Sequence, residues 1–287
     1  MKKVAILLTV YNRRLVTLRC LNNLKKILNS VQDKKFDIYL TEDGCTDGTP
    51  NEVNMRFPDI TIISGNGKLF WSGGMRAAWR KASQVGDYDY YLWLNDDVLL
   101  YEHSLKEVFE LSEKLDNKVL ICGAFENNEH LFTYGGRDKC TNPVIPNGEI
   151  QDIYLTNGNL LLVPRIIFKS LGNISDYFIH DMGDIDYGLR ALEHKFRVIT
   201  TLSYVGECQD NPLNIAGKGH KLGTTWYNRL KYLYSPRGVN PNIVFRFNLY
   251  HYGLYKAIRG YIGAIYYTLL PDNIYLKGKK DNENTTN

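Results

Sequence analysis

The sequence predicts an α/β fold in which a mostly parallel, mixed sheet carries helices on both faces. Two observations favour this fold. Short apolar runs alternate along the chain with segments whose apolar residues recur at helical spacing. Polar or glycine-rich segments follow several of these runs, and in such sheets ligands bind beyond the carboxyl ends of the strands. With 287 residues, the chain is long enough to bury a substantial core.

Six apolar runs predict the strands of this sheet: residues 4–10, 36–40, 60–63, 88–94, 119–125 and 196–200. Helical spacing predicts helices over residues 15–28, from residue 51, and over 75–82, 104–115 and 185–192. A glycine- and proline-bearing segment at residues 127–148 predicts a hairpin or an active-site loop. A further apolar run at 160–163 leads to Pro164, which suits the first turn of a helix.

The strand at 88–94 ends at Asn95, Asp96 and Asp97, after which apolar residues resume. Adjacent carboxylates at the end of a buried strand repel each other and lose solvation unless a positive group lies beside them. A divalent cation held by oxygen ligands is the simplest such group. The alternative is a solvated acidic turn, and the pattern by itself favours neither.

Other polar segments follow neighbouring strands of the predicted sheet. They are residues 9–11, Glu42 with Asp43, and the glycine-rich residues 65–67. Because the carboxyl ends of parallel strands meet at one edge of a sheet, these segments and the acid pair Asp96–Asp97 are expected to converge there. This convergence indicates a binding site.

A second acidic segment, residues 181–186, begins the helix that carries Ile185 and Leu189. Asp184 falls at or near the N-terminus of that helix, where the helix dipole favours an ionised carboxylate. The alternative is that Asp184 or Asp181 only caps the helix.

Composition argues against several classes of protein. A net charge of +4 is too small to indicate nucleic-acid binding. Five scattered cysteines without a Cys-x-x-Cys pair argue against a disulfide framework and a zinc site, and favour a reducing compartment. The first apolar run ends at Tyr11 without a cleavage site, and no apolar segment reaches the ~20 residues of a membrane span. We therefore expect a cytoplasmic protein.

Residues 216–275 differ from the rest of the chain because they are basic and rich in tyrosine. Beyond Pro241, a long helical pattern places apolar residues on one side, and these are Leu254, Ile258, Ile262, Ile265 and Leu269. Such a helix, with interspersed tyrosines and basic residues, suits the lipid headgroup layer. The alternative is packing on the main domain or on a second copy in a homodimer. The polar residues 276–287 predict a disordered tail.

Five motifs stand in a characteristic order: Thr9-Val10-Tyr11-Asn12-Arg13, Glu42-Asp43-Gly44-Cys45-Thr46-Asp47-Gly48-Thr49, Asn95-Asp96-Asp97, Asn157-Gly158-Asn159 and Gly183-Asp184-Ile185-Asp186. Together they resemble the family 2 glycosyltransferases with a Rossmann-like GT-A fold, especially bacterial polysaccharide enzymes of the rhamnosyltransferase-like kind. The resemblance covers roughly residues 4–237. Four positions depart from the family's motifs, which include an Asp-x-Asp metal motif: Glu42, Cys45, Asn95 and Gly183.

The resemblance implies a nucleotide site. Tyr11 would stack on the base, Asp43 would hydrogen-bond it, and Asp96 would face the ribose. Lys68 and Arg76 would offset the charge of the phosphates. The implied nucleotide-binding set is Thr9, Tyr11, Arg13, Asp43, Asn66, Lys68, Arg76 and Asp96.

The resemblance also implies a metal and an acceptor site. Asp97 would ligate Mn²⁺ or Mg²⁺ at the donor diphosphate, and Asp184 would be the general base. The family often adds a histidine ligand after the last core strand, and the nearest one downstream here is His220, which could equally be a surface residue. The implied sugar or acceptor contacts are Trp71, Asn157, Asn159 and Asp186, although a tryptophan beside glycines also suits core packing.

The expected function is inverting, metal-dependent transfer of a sugar from a UDP- or dTDP-sugar to a surface polysaccharide, lipopolysaccharide or lipid-linked glycan at the inner membrane. The expected organisation is a catalytic domain over 1–215, divided into a nucleotide-binding half (1–100) and an acceptor half (101–215), followed by a helical extension over 216–275. One alternative is a sugar nucleotidyltransferase, although residues 9–14 lack the glycine-rich loop that it needs. Another is a catalytically degenerate scaffold or sugar-binding protein, which Asn95 and Gly183 would suit.

Overall fold

A computed structural model of the chain describes residues 1–209 and 222–274. The chain divides into two compact units, unit 1 (Met1–Asp210) and unit 2 (Asn211–Asn287). The sequence placed a boundary slightly later, between residues 215 and 216. The predicted metal ligand His220 and the predicted tail at 276–287 lie outside the described residues.

Unit 1 is built around one sheet, in which residues 1–209 form nine strands. These strands are β1 (Lys2–Val10), β2 (Lys34–Glu42), β3 (Thr61–Ser64), β4 (Tyr90–Leu94), β5 (Leu99–Leu100), β6 (Val119–Glu126), β7 (Phe132–Tyr134), β8 (Leu160–Pro164) and β9 (Arg197–Glu207). Their order across the sheet is β3-β2-β1-β4-β8-β6-β9-β5, and β7 pairs with β6.

Most of the paired residues in this sheet lie between parallel strands. β1 lies parallel to β2 and β4, β3 is parallel to β2, and β6 is parallel to β9. β8 is antiparallel to both β4 and β6, and β5 is antiparallel to β9. Because β8 runs opposite to β4, its first residue, Leu160, pairs with Leu94, the last residue of β4. The prediction of a mostly parallel, mixed sheet is confirmed.

Helices cover both faces of this sheet, as predicted. One face packs against α1 (Arg14–Leu28), α2 (Thr49–Arg56) and α4 (Ser104–Lys114), and the other packs against α3 (Phe70–Val85), α5 (Arg165–Leu171) and α6 (Gly183–Glu193). Alternate residues of β1 serve the two faces: Ile6 and Leu8 join the first core cluster, whereas Ala5 and Leu7 join the second. Burial on both faces explains why the run is continuously apolar.

The six predicted strands correspond to β1, β2, β3, β4, β6 and β9. β9 extends to Glu207, well beyond its predicted end at residue 200. β5 and β7 were not predicted, because strands of two or three residues give no periodic pattern. The apolar run at 160–163 forms β8, and Pro164 directly precedes α5.

Unit 2 is described over residues 222–274, where it contains α7 (Trp226–Leu233), α8 (Pro241–Tyr252) and α9 (Leu254–Leu269). The prediction of one long helix beyond Pro241 is wrong, because Gly253 has a φ of 85° and separates α8 from α9. The two helices approach closely: a Cβ atom on Gly260 would lie 2.5 Å from Asn248 Nδ2. α9 also leaves apolar side chains exposed, namely Leu254, Tyr255, Ile258, Ile262, Tyr266 and Leu269.

The exposed residues Leu254, Tyr255, Ile258, Ile262, Tyr266 and Leu269 are called the α9 stripe below. Apart from the adjacent Leu254 and Tyr255, their spacing of three or four residues places them along one side of the helix. Within the described ranges, no helix is long and apolar enough to cross a bilayer.

Candidate active site

The acid pair lies at the carboxyl edge of the sheet, directly after β4. Asp96 is buried, whereas 31% of the Asp97 side chain is exposed. The neighbouring strand β1 leads into Tyr11, which is exposed, and Arg13, which precedes α1. Because β1 and β4 pair in parallel, their carboxyl ends bring these residues to one place.

Arg13 supplies a positive charge beside the acid pair. Its Nη1 donates to Asp96 Oδ1 at 3.1 Å, and its Nη2 donates to Asp97 Oδ2 at 2.7 Å. A planar guanidinium is suited to bridging two carboxylates in this way. One of the two interpretations of the sequence was a positive group at this position, with a divalent cation as the simplest choice. The structure brings an arginine into contact with both acids.

Thr17 completes the surroundings of Asp96. Its hydroxyl, one helical turn after Arg13, is fully buried and donates to Asp96 Oδ2 at 2.7 Å. Burial raises the pKa of Asp96 to about 6, although the charge of Arg13 opposes this rise. Sequence reasoning missed Thr17, and the available signal was a hydroxyl four residues from Arg13 on the apolar face of α1.

Asn95 belongs to a chain of hydrogen bonds between side chains. Its Oδ1 accepts from Trp71 Nε1 at 2.7 Å, and its Nδ2 donates to Asn159 Oδ1 at 2.6 Å. Asn159 also donates to Cys208 Sγ at 3.3 Å, and its backbone N–H donates to Asn157 Oδ1 at 2.9 Å. Asn95 therefore connects the end of β4 to the loop before β8. These two hydrogen bonds explain why an amide side chain suits this position.

Asp43 organises the glycine-rich loop after β3. The buried carboxylate accepts from the backbone N–H of Gly67 through Oδ1 and of Phe70 through Oδ2, both at 2.8 Å. On the same loop, Asn66 Oδ1 accepts from the backbone N–H of Lys68 at 3.0 Å, and the Lys68 side chain is exposed. A buried carboxylate with two backbone donors is an anchor for this loop.

Thr9 lies at the end of β1, against the first turns of α3. A Cβ atom on Gly74 would lie only 2.0 Å from Thr9 Oγ1. Thr41, on β2, donates to the carbonyl of Gly74 at 2.8 Å. This close packing fixes the beginning of α3, which carries Trp71.

Asp184 lies in the first turn of α6. Its Oδ2 accepts from the backbone N–H of Gly158 and its Oδ1 from that of Ile185, both at 2.9 Å. Its own carbonyl accepts from the Thr156 hydroxyl at 2.6 Å. Burial raises the pKa of Asp184 to about 6, and the two backbone N–H groups limit the rise. The carboxylate is therefore held in place while the residue remains partly accessible to solvent.

A hydrogen-bonded path connects Asp184 to the acid pair. The backbone N–H of Gly158 donates to Asp184. Asn159, which follows Gly158, is hydrogen-bonded to Asn95, and Asn95 directly precedes Asp96. Gly158 also packs against Trp71, because a Cβ atom on it would lie 2.2 Å from the ring carbon Cζ2. Sequence reasoning missed this role of Gly158, since the contact joins residues far apart in the chain.

Close packing also explains the glycine that departs from the family motif. A Cβ atom on Gly183 would lie 2.5 Å from Ser72 Oγ. That hydroxyl donates to the carbonyl of His180 at 2.8 Å. The first turns of α3 and α6 therefore meet at Gly183, and a glutamate there would separate them.

Two of the predicted ligand contacts are engaged inside unit 1. Arg76 Nη1 donates to the carbonyls of Ser175 at 2.8 Å and Phe178 at 3.0 Å, and 13% of its side chain is exposed. Asp186 is buried and accepts from Arg190 at 2.8 Å. These bonds argue against a phosphate contact for Arg76 and an acceptor contact for Asp186, because a ligand would have to break them.

The residues around Asp97 fit a divalent cation. Asp97 Oδ1 is buried and accepts no hydrogen bond from the described part of the chain, and hard cations prefer such carboxylate oxygens. A cavity of about 100 Å³ adjoins Asp97, Glu207 and Gln209. Among residues 1–209 and 222–274, no group of three or more His, Cys, Asp or Glu side chains is placed to hold a metal.

This mixed sheet, with its loops and carboxylates gathered at one edge, places the protein among the glycosyltransferases of the GT-A fold. The family described as Glycosyl transferase family 2 matches residues 5–169, which is more than half of the chain. The chain belongs to this family, and the prediction from the sequence motifs is confirmed. The matched segment contains the acid pair and ends before Asp184.

Solved structures share the fold at low sequence identity. The mannosyltransferase PcManGT from Pyrobaculum calidifontis, in complex with GDP-Man and Mn²⁺, is 15% identical with a TM-score of 0.54, over 97% of this chain and 79% of that one. Residues 1–349 of S. aureus TarS are 13% identical with a TM-score of 0.52, over 92% of this chain and 90% of that one. No curated protein sequence matches the chain.

Proposed function

We propose that the protein transfers a sugar, with inversion at the anomeric carbon, from a UDP- or dTDP-sugar to a hydroxyl of a growing surface polysaccharide, lipopolysaccharide or lipid-linked glycan. The observation that carries this proposal is the setting of Asp184, whose carboxylate is held by Gly158 and connected through Asn159 and Asn95 to the acid pair. One base that acts on the acceptor, with direct attack on the donor, leads to inversion.

The donor side is assigned to the edge of the sheet after β1 and β4. Exposed Tyr11 would stack on the nucleotide base, and the loop anchored by Asp43 would border it. Asp96 would face the ribose, and the exposed ammonium of Lys68 would offset phosphate charge. The ring of Trp71, fixed by its bond to Asn95, would form a wall of the sugar pocket.

Asp97 is the proposed ligand for Mn²⁺ or Mg²⁺, which when bound supplies positive charge to the leaving diphosphate. Two observations support this assignment. Asp97 Oδ1 is a buried carboxylate oxygen without a hydrogen-bond partner in the described chain. PcManGT, which shares the fold, contains Mn²⁺ together with GDP-Man.

Asp184 is the proposed general base. The acceptor oxygen would form its bond to the anomeric carbon while the bond from that carbon to the diphosphate breaks. Asp184 would take the hydroxyl proton, and the diphosphate would leave with the electron pair. A pKa of about 6 leaves Asp184 mostly ionised at neutral pH, and makes it a stronger base than an ordinary aspartate.

Transfer assays with UDP-, dTDP- and GDP-linked sugars test the proposal, with release of the nucleoside diphosphate as the measurement. The Asp184→Asn variant should lower kcat by about 10³-fold, within the usual range for a general base, and should leave donor affinity unchanged. Asp181→Asn is the matched control, because it removes a carboxylate three residues away and should keep most of the activity. Full activity of Asp184→Asn would overturn the assignment of the base.

The same assays separate the competing functions. Release of inorganic pyrophosphate from a nucleoside triphosphate and a sugar phosphate would indicate a nucleotidyltransferase. Donor that binds with Mn²⁺ or Mg²⁺, without turnover, would indicate a sugar-binding or scaffold protein.

The proposal includes a membrane surface as the place where the acceptor lies. The α9 stripe is exposed, and Lys256 and Arg259 are exposed on the same helix. Residues 222–274 contain six lysines and arginines and one acidic residue, Asp272. A basic helix with an apolar stripe suits the headgroup layer of an anionic membrane. This would place the enzyme at the cytoplasmic face of the inner membrane.

Vesicle flotation with the full chain tests the membrane contact, using vesicles with and without phosphatidylglycerol. Ile262→Glu, in the α9 stripe, should lower the bound fraction by about fivefold, because it puts a charge into the apolar contact. Ile145→Glu is the control, since Ile145 is exposed in unit 1. Equal vesicle binding by both variants would contradict the contact, and a homodimer lost only in Ile262→Glu would assign the stripe to a second copy instead.

A further inference from the structure

Access to the carboxylate of Asp97 is restricted on both of its oxygens. Arg13 Nη2 donates to Oδ2 at 2.7 Å, and Oδ1 is buried. A divalent cation must come within about 2.0–2.6 Å of a carboxylate oxygen to bind it. A cation that binds Asp97 must therefore reach one of these two atoms.

Both routes weaken the bond between Arg13 and Asp97. A cation on Oδ2 would share that oxygen with Nη2, and two positive charges would then lie side by side. A cation on Oδ1 would share one carboxylate with the guanidinium on Oδ2, and repulsion between the two positive charges would again weaken the bond from Arg13. Arg13 has room to leave, because 45% of its side chain is exposed.

We infer that Arg13 is an internal counter-ion of the acid pair that competes with the divalent cation for Asp97, so that metal binding and release of Arg13 are a single event. This inference rests on the proposed function and deepens it, because it assigns to Arg13 the control of metal affinity. The released guanidinium would keep its charge at the donor side, where the sequence motif predicted a nucleotide contact for Arg13.

Asp96 keeps a hydrogen-bond donor when the cation replaces Arg13. Its Oδ2 retains the hydrogen bond from Thr17 when Arg13 departs, so that the buried carboxylate is not left without a donor. The incoming cation restores the positive charge that Arg13 removes from the pair. Arg13 is therefore a positioning residue in this step, since it acts through the two carboxylates.

Titration of the full chain with Mn²⁺ in the absence of nucleotide, with free Mn²⁺ followed by electron paramagnetic resonance, tests the inference. Arg13→Met should raise Mn²⁺ affinity by about tenfold, which corresponds to about 1.4 kcal/mol, because it removes two charge-assisted hydrogen bonds that compete with the metal. The readout does not depend on turnover.

Arg19→Met is the matched control. Arg19 lies on α1, lines the cavity beside Asp97, is exposed, and makes no ion pair with any described residue. The substitution removes the same charge from a residue six positions later without breaking a bond to the acid pair. Its effect on Mn²⁺ affinity should stay within about twofold, because charges without a direct contact are largely screened by water and salt.

Equal Mn²⁺ affinity of wild type and Arg13→Met, or weaker binding by the variant, would overturn the competition. If Arg13→Met does not fold, Arg13→Lys provides the test, because one ammonium keeps the charge but lacks the planar fork that bridges both carboxylates. Its affinity should exceed that of wild type. An Asp97→Ala variant distinguishes failure of the metal assignment from failure of the inference about Arg13. Wild-type Mn²⁺ affinity of this variant would show that Asp97 is not the metal ligand. Loss of Mn²⁺ binding would support Asp97 as the ligand, and the affinity of Arg13→Met would then decide the role of Arg13.

Discussion

Asp96 and Asp184 are two carboxylates of one site, and burial raises the pKa of each to about 6. Their stabilising partners differ. Asp96 is bonded to the Arg13 guanidinium and the Thr17 hydroxyl, whereas Asp184 accepts from the backbone N–H groups of Gly158 and Ile185. A long side chain can leave and be replaced by another cation, but backbone groups in a packed loop cannot. The partner of Asp96 on the proposed donor side can therefore be exchanged, whereas the partners of Asp184, the proposed base, are fixed.

The fixed position of the Asp184 carboxylate depends on the close contact between Gly158 and Trp71. Gly158→Ala should lower kcat by about 10- to 100-fold, because the added Cβ would overlap the indole ring and move the N–H away from Asp184. It should also destabilise the fold by about 1–3 kcal/mol through overpacking. Enzyme assays and thermal denaturation measure the two effects. Gly263→Ala, where no atom lies within 4 Å of the added Cβ, is the control.

The pKa of Asp184, raised to about 6, predicts the pH dependence of the reaction. Because the ionised form is the base, kcat/KM should fall about tenfold for each pH unit below 6. The fold should gain stability over the same acidic range, since the folded protein binds this proton more tightly than the unfolded chain. Donor affinity measured in parallel separates Asp184 from Asp96. A rate that stays constant down to pH 5 would contradict the assignment.

The smallest expected effect concerns the donor side. Thr17→Val keeps the shape of the side chain but removes the hydroxyl that donates to buried Asp96, and should cost about 1–3 kcal/mol of stability. Thermal denaturation measures this loss. Thr46→Val is the control, because Thr46 is exposed and its hydroxyl donates over a longer distance of 3.4 Å. Equal losses in both variants would show that Asp96 does not depend on Thr17.

Much of the site could be predicted from the sequence, because its residues follow strands. The carboxyl ends of β1, β2, β3 and β4 bring Tyr11, Asp43, Lys68 and Asp96 to one edge of the sheet, and local patterns are enough to place them there. The partners of those residues could not be predicted. Arg76 has the charge that phosphate needs, yet it binds the carbonyls of Ser175 and Phe178, about a hundred positions later in the chain.

The fold shows the same division. The apolar pattern predicted six of the nine strands of residues 1–209 and the helices on both faces. The pattern beyond Pro241 continued through Gly253, and the sequence therefore predicted one helix where α8 and α9 are separate. The spacing of apolar residues does not reveal a positive φ at a single glycine, and the break between α8 and α9 was therefore missed.

The sequence by itself determined the class of fold, because this follows from local periodicity, and its motifs gave the family through their resemblance. Adjacent carboxylates also indicated a positive group beside Asp96 and Asp97 as one of two interpretations. Only the tertiary structure decided that Arg13 is this positive group, that Gly158 holds Asp184, and that Asn95 is bonded to Trp71 and Asn159. Each of these contacts joins segments distant in sequence, and their geometry depends on how closely the segments pack.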